Sequence, residues 1–291
     1  MDSLKNDLRA AKELQNVIST MKVVAATNIK KYEKVAAGLS KYRDNVDFGL
    51  QAILQQSPNV MKYIDYSEKN YDSNGKRNMV IVVGSNQGLC GRFNDKIVDF
   101  YLENGAKDDD FVVVVGDRIE GILKSKKVHV DKKFSTPNST NLIFKLVHDL
   151  CYAMELMKGD VGKIVAYFMS HGTKNSGNLT KKKIFPLDRS YFEKLKNKPW
   201  PTNNIPFWRV ETRVLAADLV QQYIFCSIYL TISNSMAAEQ WNRLITLQGA
   251  EENIKDHITV TTLQYNQTRQ NAITSELIDV VSGARFLRKK I

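Results

Sequence analysis

Every seventh residue from Leu4 to Ile53 is apolar or aromatic: Leu4, Ala11, Ile18, Ala25, Tyr32, Leu39, Val46 and Ile53. A helix that pairs along its length needs such a stripe, so the series predicts a coiled-coil helix over residues 1–57. The series three residues further on has Leu14, Met21, Val35 and Tyr42 but also Asp7, Asn28, Gly49 and Gln56, which predicts one imperfect edge of the seam. A second long helix is predicted over residues 207–291, where Ala237, Trp241, Leu244, Ile254 and Ile258 recur at helical spacings. The breakers agree: all six prolines lie between Pro58 and Pro206, and the two flanks hold only Gly38, Gly49, Gly249 and Gly283 of the fifteen glycines. Proline removes an N–H and clashes with the preceding turn, so its absence permits unbroken helices. At about 1.5 Å per residue these helices would extend on the order of 80 Å and over 100 Å, too long for the interior of a small domain. The weakest helical stretch is Ile258-Thr259-Val260-Thr261-Thr262, whose β-branched side chains lose rotamer freedom in a helix. The apolar run Tyr223 to Ile232 spans ten residues, half of the roughly twenty that a membrane-crossing helix needs, and buried packing is expected there.

Between the flanks the pattern changes period. Residues 57–77 are polar and turn-rich, as in a linker. Met79 to Val83, Phe111 to Val115 and Ile164 to Met169 are short apolar runs that predict buried strands. A helical pattern follows the first through Ile97, Phe100 and Tyr101, and Leu142 to Met157 reads as an amphipathic helix. Strands alternating with helices predict a mostly parallel sheet covered on both faces, a Rossmann-like α/β domain over residues 58–206.

The glycine turn after the first strand, Gly84-Ser85-Asn86-Gln87-Gly88-Leu89-Cys90-Gly91, lies where phosphates often bind, at a strand feeding a helix. Its spacing is neither G-x-G-x-x-G nor a P-loop, and a tight packed turn is the stronger reading of Gly84, Gln87, Gly88, Cys90 and Gly91. A nucleotide-binding α/β enzyme remains the first rival, and a coiled-coil scaffold or membrane-surface adaptor the second. The histidines His129, His148, His171 and His257 have no metal-ligand spacing, and Cys90, Cys151 and Cys226 have neither CxxC spacing nor an obvious paired base. Ser170-His171 after the third strand is the pair least easily set aside, because strand ends often carry function. Lys181-Lys182-Lys183 reads as a solvated strand edge. A reducing compartment is expected, and Met1-Asp2-Ser3 leads straight into a helical pattern with no export signal.

The net charge of +11 is unevenly distributed. Residues 1–56 carry nine basic and six acidic groups and residues 211–291 eight of each, which leaves +8 for the middle. No nucleic-acid signature accompanies the charge, so nucleic acid is not an expected partner, whereas acidic protein loops or anionic headgroups are.

Three ordered stretches carry a family resemblance. Met21-Lys22-Val23-Val24-Ala25-Ala26 resembles an N-terminal "MKMVAA" segment, Gly84 to Gly91 an "SDRGLCG" turn, and Tyr265-Asn266-Gln267-Thr268-Arg269-Gln270-Asn271-Ala272-Ile273-Thr274-Ser275-Glu276-Leu277 a "YN-x-x-RQ-x-x-IT-x-E" signature, followed by Ser282-Gly283-Ala284. Together they resemble the gamma subunits of F-type ATP synthases over the whole chain. The resemblance implies a long antiparallel coiled coil of the two terminal helices above an α/β foot, a rotor shaft inside a ring of alpha and beta subunits. It also implies docking of the foot on the epsilon subunit and the membrane c-ring, with no cofactor and no small-molecule substrate of its own. Contacts to the catalytic ring would fall to Met21, Lys22, Val23, Lys30, Lys31, Arg269, Gln270, Thr274 and Glu276. Coiled-coil packing would fall to Ile18, Ala25, Tyr32, Leu39, Val46, Trp241, Leu244 and Leu247. A peripheral position on the cytoplasmic face of the inner or plasma membrane follows from the same resemblance. Asn28 replaces a basic residue, Trp241 and Leu247 replace smaller or Met side chains, and the Cys-containing regulatory insert of the chloroplast branch is absent. Such departures leave open the gamma-like shaft of an accessory rotary ATPase.

Overall fold

The protein is described by a computed structural model over residues 1–60, 76–157, 160–171, 177–204 and 206–288, without side chains for residues 58 and 282–288. Most of the predicted linker, the side chains of Ser282-Gly283-Ala284 and the last three residues lie outside the described residues. In chain order the elements are α1 (Asp2–Gln56), β1 (Arg77–Val83), α2 (Phe93–Glu103), β2 (Phe111–Val115), α3 (Asp117–Ser125), β3 (Lys132–Phe134), α4 (Asn141–Leu156), β4 (Val161–Ser170), β5 (Asn178–Phe185), α5 (Arg189–Asn197) and α6 (Thr212–Arg288). They form two compact units, one of Met1–Ala25 with Leu244–Ile291 and one of Ala26–Arg243.

In the larger unit the five strands run in the order β3-β2-β1-β4-β5. The first four are mutually parallel and β5 is an antiparallel edge. Alternate side chains divide the sheet into two cores, as strand geometry requires. Val80, Val82, Val112 and Val114 pack with Phe93, Ile97, Val98 and Tyr101 of α2 and with Ile119 and Leu123 of α3. Met79, Ile81, Val83, Val113 and Val115 pack on the opposite face with Ile143, Leu146, Val147 and Leu150 of α4. The same core takes in Tyr32 of α1 and Ile228, Ile232, Met236 and Ala237 of α6. The long helices thus cover one sheet face themselves. Part of α6 is long and apolar enough to cross a membrane by length and composition; Ala216, Val220, Cys226, Ile228 and Ile232 of α6 are buried within the larger unit.

Within this unit α1 and α6 run antiparallel: Tyr42 donates to Gln222 at 3.0 Å, and Gly49 lies against Leu219. Gly49 is a close-approach site, since an added Cβ would come 3.0 Å from Leu219 Cδ2. The apolar series from Leu4 is indeed inward, with none of its eight members exposed. The second edge of the seam differs from expectation: it lies four residues on, at Leu8, Gln15, Lys22, Ile29, Ala36, Arg43 and Leu50, where again none is exposed. In a heptad the step between seam positions alternates between three and four, so the Leu4 series takes the position that precedes the four-residue step.

Of the two remaining strands, β3 was not foreseen and β5 only as the strand edge at Lys181-Lys182-Lys183. The three-residue β3 is too short to show alternation, and β5 is masked by its polar composition. On β5, Lys181 and Lys183 are exposed as a strand edge would have them, but Lys182 turns inward and donates to the Ser227 carbonyl of α6 at 3.3 Å. Burial, aided by repulsion from Arg43, pushes its pKa down from 10.5 to about 8. The unfolded chain then holds a proton that the folded chain has lost between about pH 8 and 10.5, so stability rises with pH across that window. Urea unfolding should show this rise, on the order of 2 kcal/mol, and Lys182→Met should flatten it while stabilising the fold at neutral pH. An unaltered pH slope in Lys182→Met would refute the assignment.

Candidate functional site

The glycine turn between β1 and α2 is filled by its own neighbours. Gly84 is obligatory because an added Cβ would fall 2.5 Å from Ile119 and 2.7 Å from Asn94 Oδ1. The N–H of Ser85, the group best placed to hold a phosphate, donates to Asn94 Oδ1 at 2.9 Å, and Asn94 Nδ2 returns a bond to Ser85 Oγ at 2.8 Å. Asn86 accepts from Asp117 N and Thr136 N and donates to the Thr136 carbonyl. Cys90 is buried beside Ser85 with its thiol pKa raised by desolvation, opposite to what a reactive thiolate needs. Gln87 and Gly91 are exposed and Gly88 is half-buried. The N–H groups of Gly84 and Ser85 at the strand end and the side-chain amides of Asn86 and Asn94 are spent on the protein, which favours the packed-turn reading.

The turn is tied to α6 by a pair that sequence patterns did not single out. Arg243 reaches the Gly88 carbonyl at 3.3 Å and the Gln87 carbonyl at 3.5 Å, and pairs with Glu239 Oε1 at 2.7 Å. Both side chains are buried, 6% and 7% exposed. Desolvation raises the Glu239 pKa despite the favourable Arg243 beside it. The available signal was two opposite charges four residues apart inside the otherwise uncharged run Ser227–Leu244, which a helix burying that whole run must pair internally. Trp241 packs against His171 with the rings tilted and their centroids 5.2 Å apart, and His171 Nε2 stands 3.3 Å from Glu33 Oε1. Ser170 Oγ donates to the Asn178 carbonyl. The Ser170-His171 pair therefore serves strand β5 and helix α1 separately.

The smaller unit pairs the first 25 residues of α1 with α6 from Leu244 onward. Lys22 forms an ion pair with Glu251. Leu244, Leu247, Glu251, Ile254, Ile258, Thr261, Tyr265 and Ala272 are all less than exposed, at alternating three- and four-residue steps through Tyr265. The β-branched stretch stays helical with Ile258 and Thr261 on this seam, and the outward Thr259 and Thr262 hydroxyls are satisfied by carbonyls four residues back. With Lys22 level with Glu251, an antiparallel α1 reaches its start near residue ~271 at equal rise per residue. Beyond that level Ile273, Leu277, Ile278, Val280 and Val281 are all exposed.

The expected ring-contact residues divide accordingly. Arg269, Gln270, Thr274 and Glu276 are exposed on α6, with Thr274 Oγ1 bonded to the Gln270 carbonyl. Val23 is exposed, and Met21 and Lys22 are half-buried. Lys30 and Lys31, in the larger unit, are exposed. Of the expected packing residues, Ile18, Ala25, Tyr32, Val46 and Leu247 are buried, while Leu39, Trp241 and Leu244 are half-buried.

A family model described as ATP synthase matches residues 1–287. The chain belongs to the ATP synthase gamma-subunit family. Members of this family are the noncatalytic central-stalk subunits of F-type ATP synthases, which are membrane-associated complexes. Among relatives, the ATP synthase gamma chain of Mycoplasma capricolum is 27% identical over 291 residues, and that of Rickettsia typhi 24% over 299, each alignment covering 98% of both chains. A rotational-state structure of the Euglena gracilis mitochondrial ATP synthase, described as OSCP/F1/c-ring, contains a chain similar in fold. Its TM-score is 0.68 at 15% identity, covering 100% of this chain and 96% of that one.

Proposed function

We propose that this gamma-family chain is the rotating shaft that couples ion passage through a membrane c-ring to ATP synthesis or hydrolysis in a ring of alpha and beta subunits, with its foot also meeting an epsilon subunit. In this reading residues 1–57 and 207–291 form the shaft and residues 58–206 the foot. The chain catalyses nothing itself and works on the cytoplasmic face of the inner or plasma membrane. The observation that carries the proposal is the single helix end from Ile273 to Val281, apolar and exposed past the start of its partner helix. An apolar stripe of this kind needs a surrounding partner, and an apolar sleeve that turns around it would supply one without fixed polar bonds. Arg269 and Gln270, just short of that end, would supply directional contacts to moving loops, with Thr274 and Glu276 beside them. Met21, Lys22, Val23, Lys30 and Lys31 would meet the ring from α1.

Copurification tests the proposal: the tagged chain, recovered from its own cells, should bring down the large ATPase subunits, and their absence would defeat it. The foot contacts should weaken with salt, because the middle of the chain carries +8 of the net +11 and exposed charges are screened over roughly 10 Å at 0.1 M. Binding of the epsilon subunit or c-ring measured at rising salt should therefore lose affinity. Salt-independent docking would show an apolar interface instead.

A further inference from the structure

The last turns of α1 lie against α5, with Gln51 and Gln55 donating to the Lys198 carbonyl at 2.8 and 2.7 Å and Gln55 also to the Lys196 carbonyl at 3.0 Å. Val46, Leu50, Phe192 and Leu195 close around this joint as apolar core. Three buried oxygens here meet no hydrogen-bonding group of the protein: Asp47 Oδ1, Gln51 Oε1 and Tyr191 Oη. Asp47 and Gln51 stand one turn apart on the same face of α1, and Tyr191 lies in the first turn of α5. The Gln51 amide has a fixed orientation, because its Nε2 donates to two carbonyls, those of Lys198 and Pro199. The atom it leaves inside is therefore the acceptor Oε1, on a residue only 1% exposed.

Asp47 and Tyr191 influence each other across the joint, yet these two oxygens complete no bond. Burial raises the pKa of both side chains, and after burial each is the strongest influence on the other. Arg43 Nε stands 3.9 Å from Asp47 Oδ2, beyond hydrogen-bond reach. Polar groups this near but unbonded call for a bridging molecule, since a buried oxygen without a partner is costly. Donors and acceptors select it. Asp47 Oδ1 and Gln51 Oε1 only accept, whereas the Tyr191 hydroxyl donates. The bridge must therefore donate twice and accept once. A cation could not accept from Tyr191 and would face Arg43 and Lys198, and an anion would face Asp44 and Asp47. Water meets the requirement, with the three partners usual for a buried one. We propose that a structural water is built into this joint, donating to Asp47 Oδ1 and Gln51 Oε1 and accepting from Tyr191 Oη, so that α5 is held to α1 through a solvent molecule. Such a link tolerates small shifts of α5 along α1 that a direct bond between phenol and carboxylate would resist. The proposal concerns how the foot is assembled and is independent of the shaft assignment.

The test is a high-resolution crystal structure of the full-length chain, which should show one water peak within about 2.7 to 3.2 Å of all three oxygens. Tyr191 Oη bonded directly to Asp47, or a peak that touches only one of the three, would overturn the proposal. Carbon-13 spectra of the Asp side chains should report an ionised Asp47 at neutral pH. A neutral Asp47 carboxyl that itself donates to Gln51 Oε1 would leave the water no role and would also overturn it. Tyr191→Phe, which keeps the ring and removes the donor, should lower the folding equilibrium constant roughly fivefold in urea unfolding. A Tyr191→Phe chain as stable as wild type would show that the hydroxyl bonds nothing.

Discussion

Arg243→Ala is expected to destabilise the larger unit by about 3 to 5 kcal/mol, the range for removing one partner of a buried ion pair. The cost comes from what remains. Glu239 is 7% exposed at its side chain, and desolvation already raises its pKa with Arg243 in place. Without the guanidinium its carboxylate must either stay charged in an apolar surround or take up a proton. The Gly88 carbonyl, only half-buried, can turn to water and adds less. Thermal unfolding should register a fall on the order of 10 °C for a unit of this size. The double variant Glu239→Gln, Arg243→Met should recover most of the loss, because it removes both charges and keeps the volume. A single variant within about 1 kcal/mol of wild type would show that water already reaches the pair. Foot and shaft helix would then be joined chiefly by apolar packing, through Ile228, Ile232, Met236 and Ala237, with the Lys182–Ser227 bond beside it.

Replacing Arg269 and Gln270 together with alanine is expected to lower the ATPase rate of the assembled complex roughly tenfold or more, with assembly retained. Both side chains are exposed on α6, so the isolated chain should lose no stability, and any effect reports a contact made in the complex. Charge-assisted hydrogen bonds are worth enough to change a rate by one to two orders of magnitude when they form on the moving path. A control change at exposed His257, on the same helix, should leave the rate unaltered. Full activity in the double variant with the complex intact would remove this pair from the coupling mechanism and leave the shape of the shaft to carry it.

What the sequence by itself determined is everything that depends on neighbours close in the chain. The proline-free flanks and the stripe from Leu4 to Ile53 specify two long helices because helix periodicity is a local property, readable from one strand of text. The β-branched runs at Val80, Val112 and Val165 specify central strands for the same reason, since a strand buried on both faces must be apolar throughout. The signature from Tyr265 to Leu277 indicates the family, although nothing about its spacing says what Arg269 touches. The tertiary structure decided what depends on residues far apart. It chose the Leu8, Ile29 and Leu50 series as the second edge of the seam, because α6, not α1, determines which flank of the stripe is covered. It turned Lys182 inward, because β5 pairs beside β4 where α6 crosses. It joined Glu239 and Arg243 to a turn some 150 residues earlier, a contact with no local period, which only burial of an ion pair against a carbonyl-lined turn makes visible.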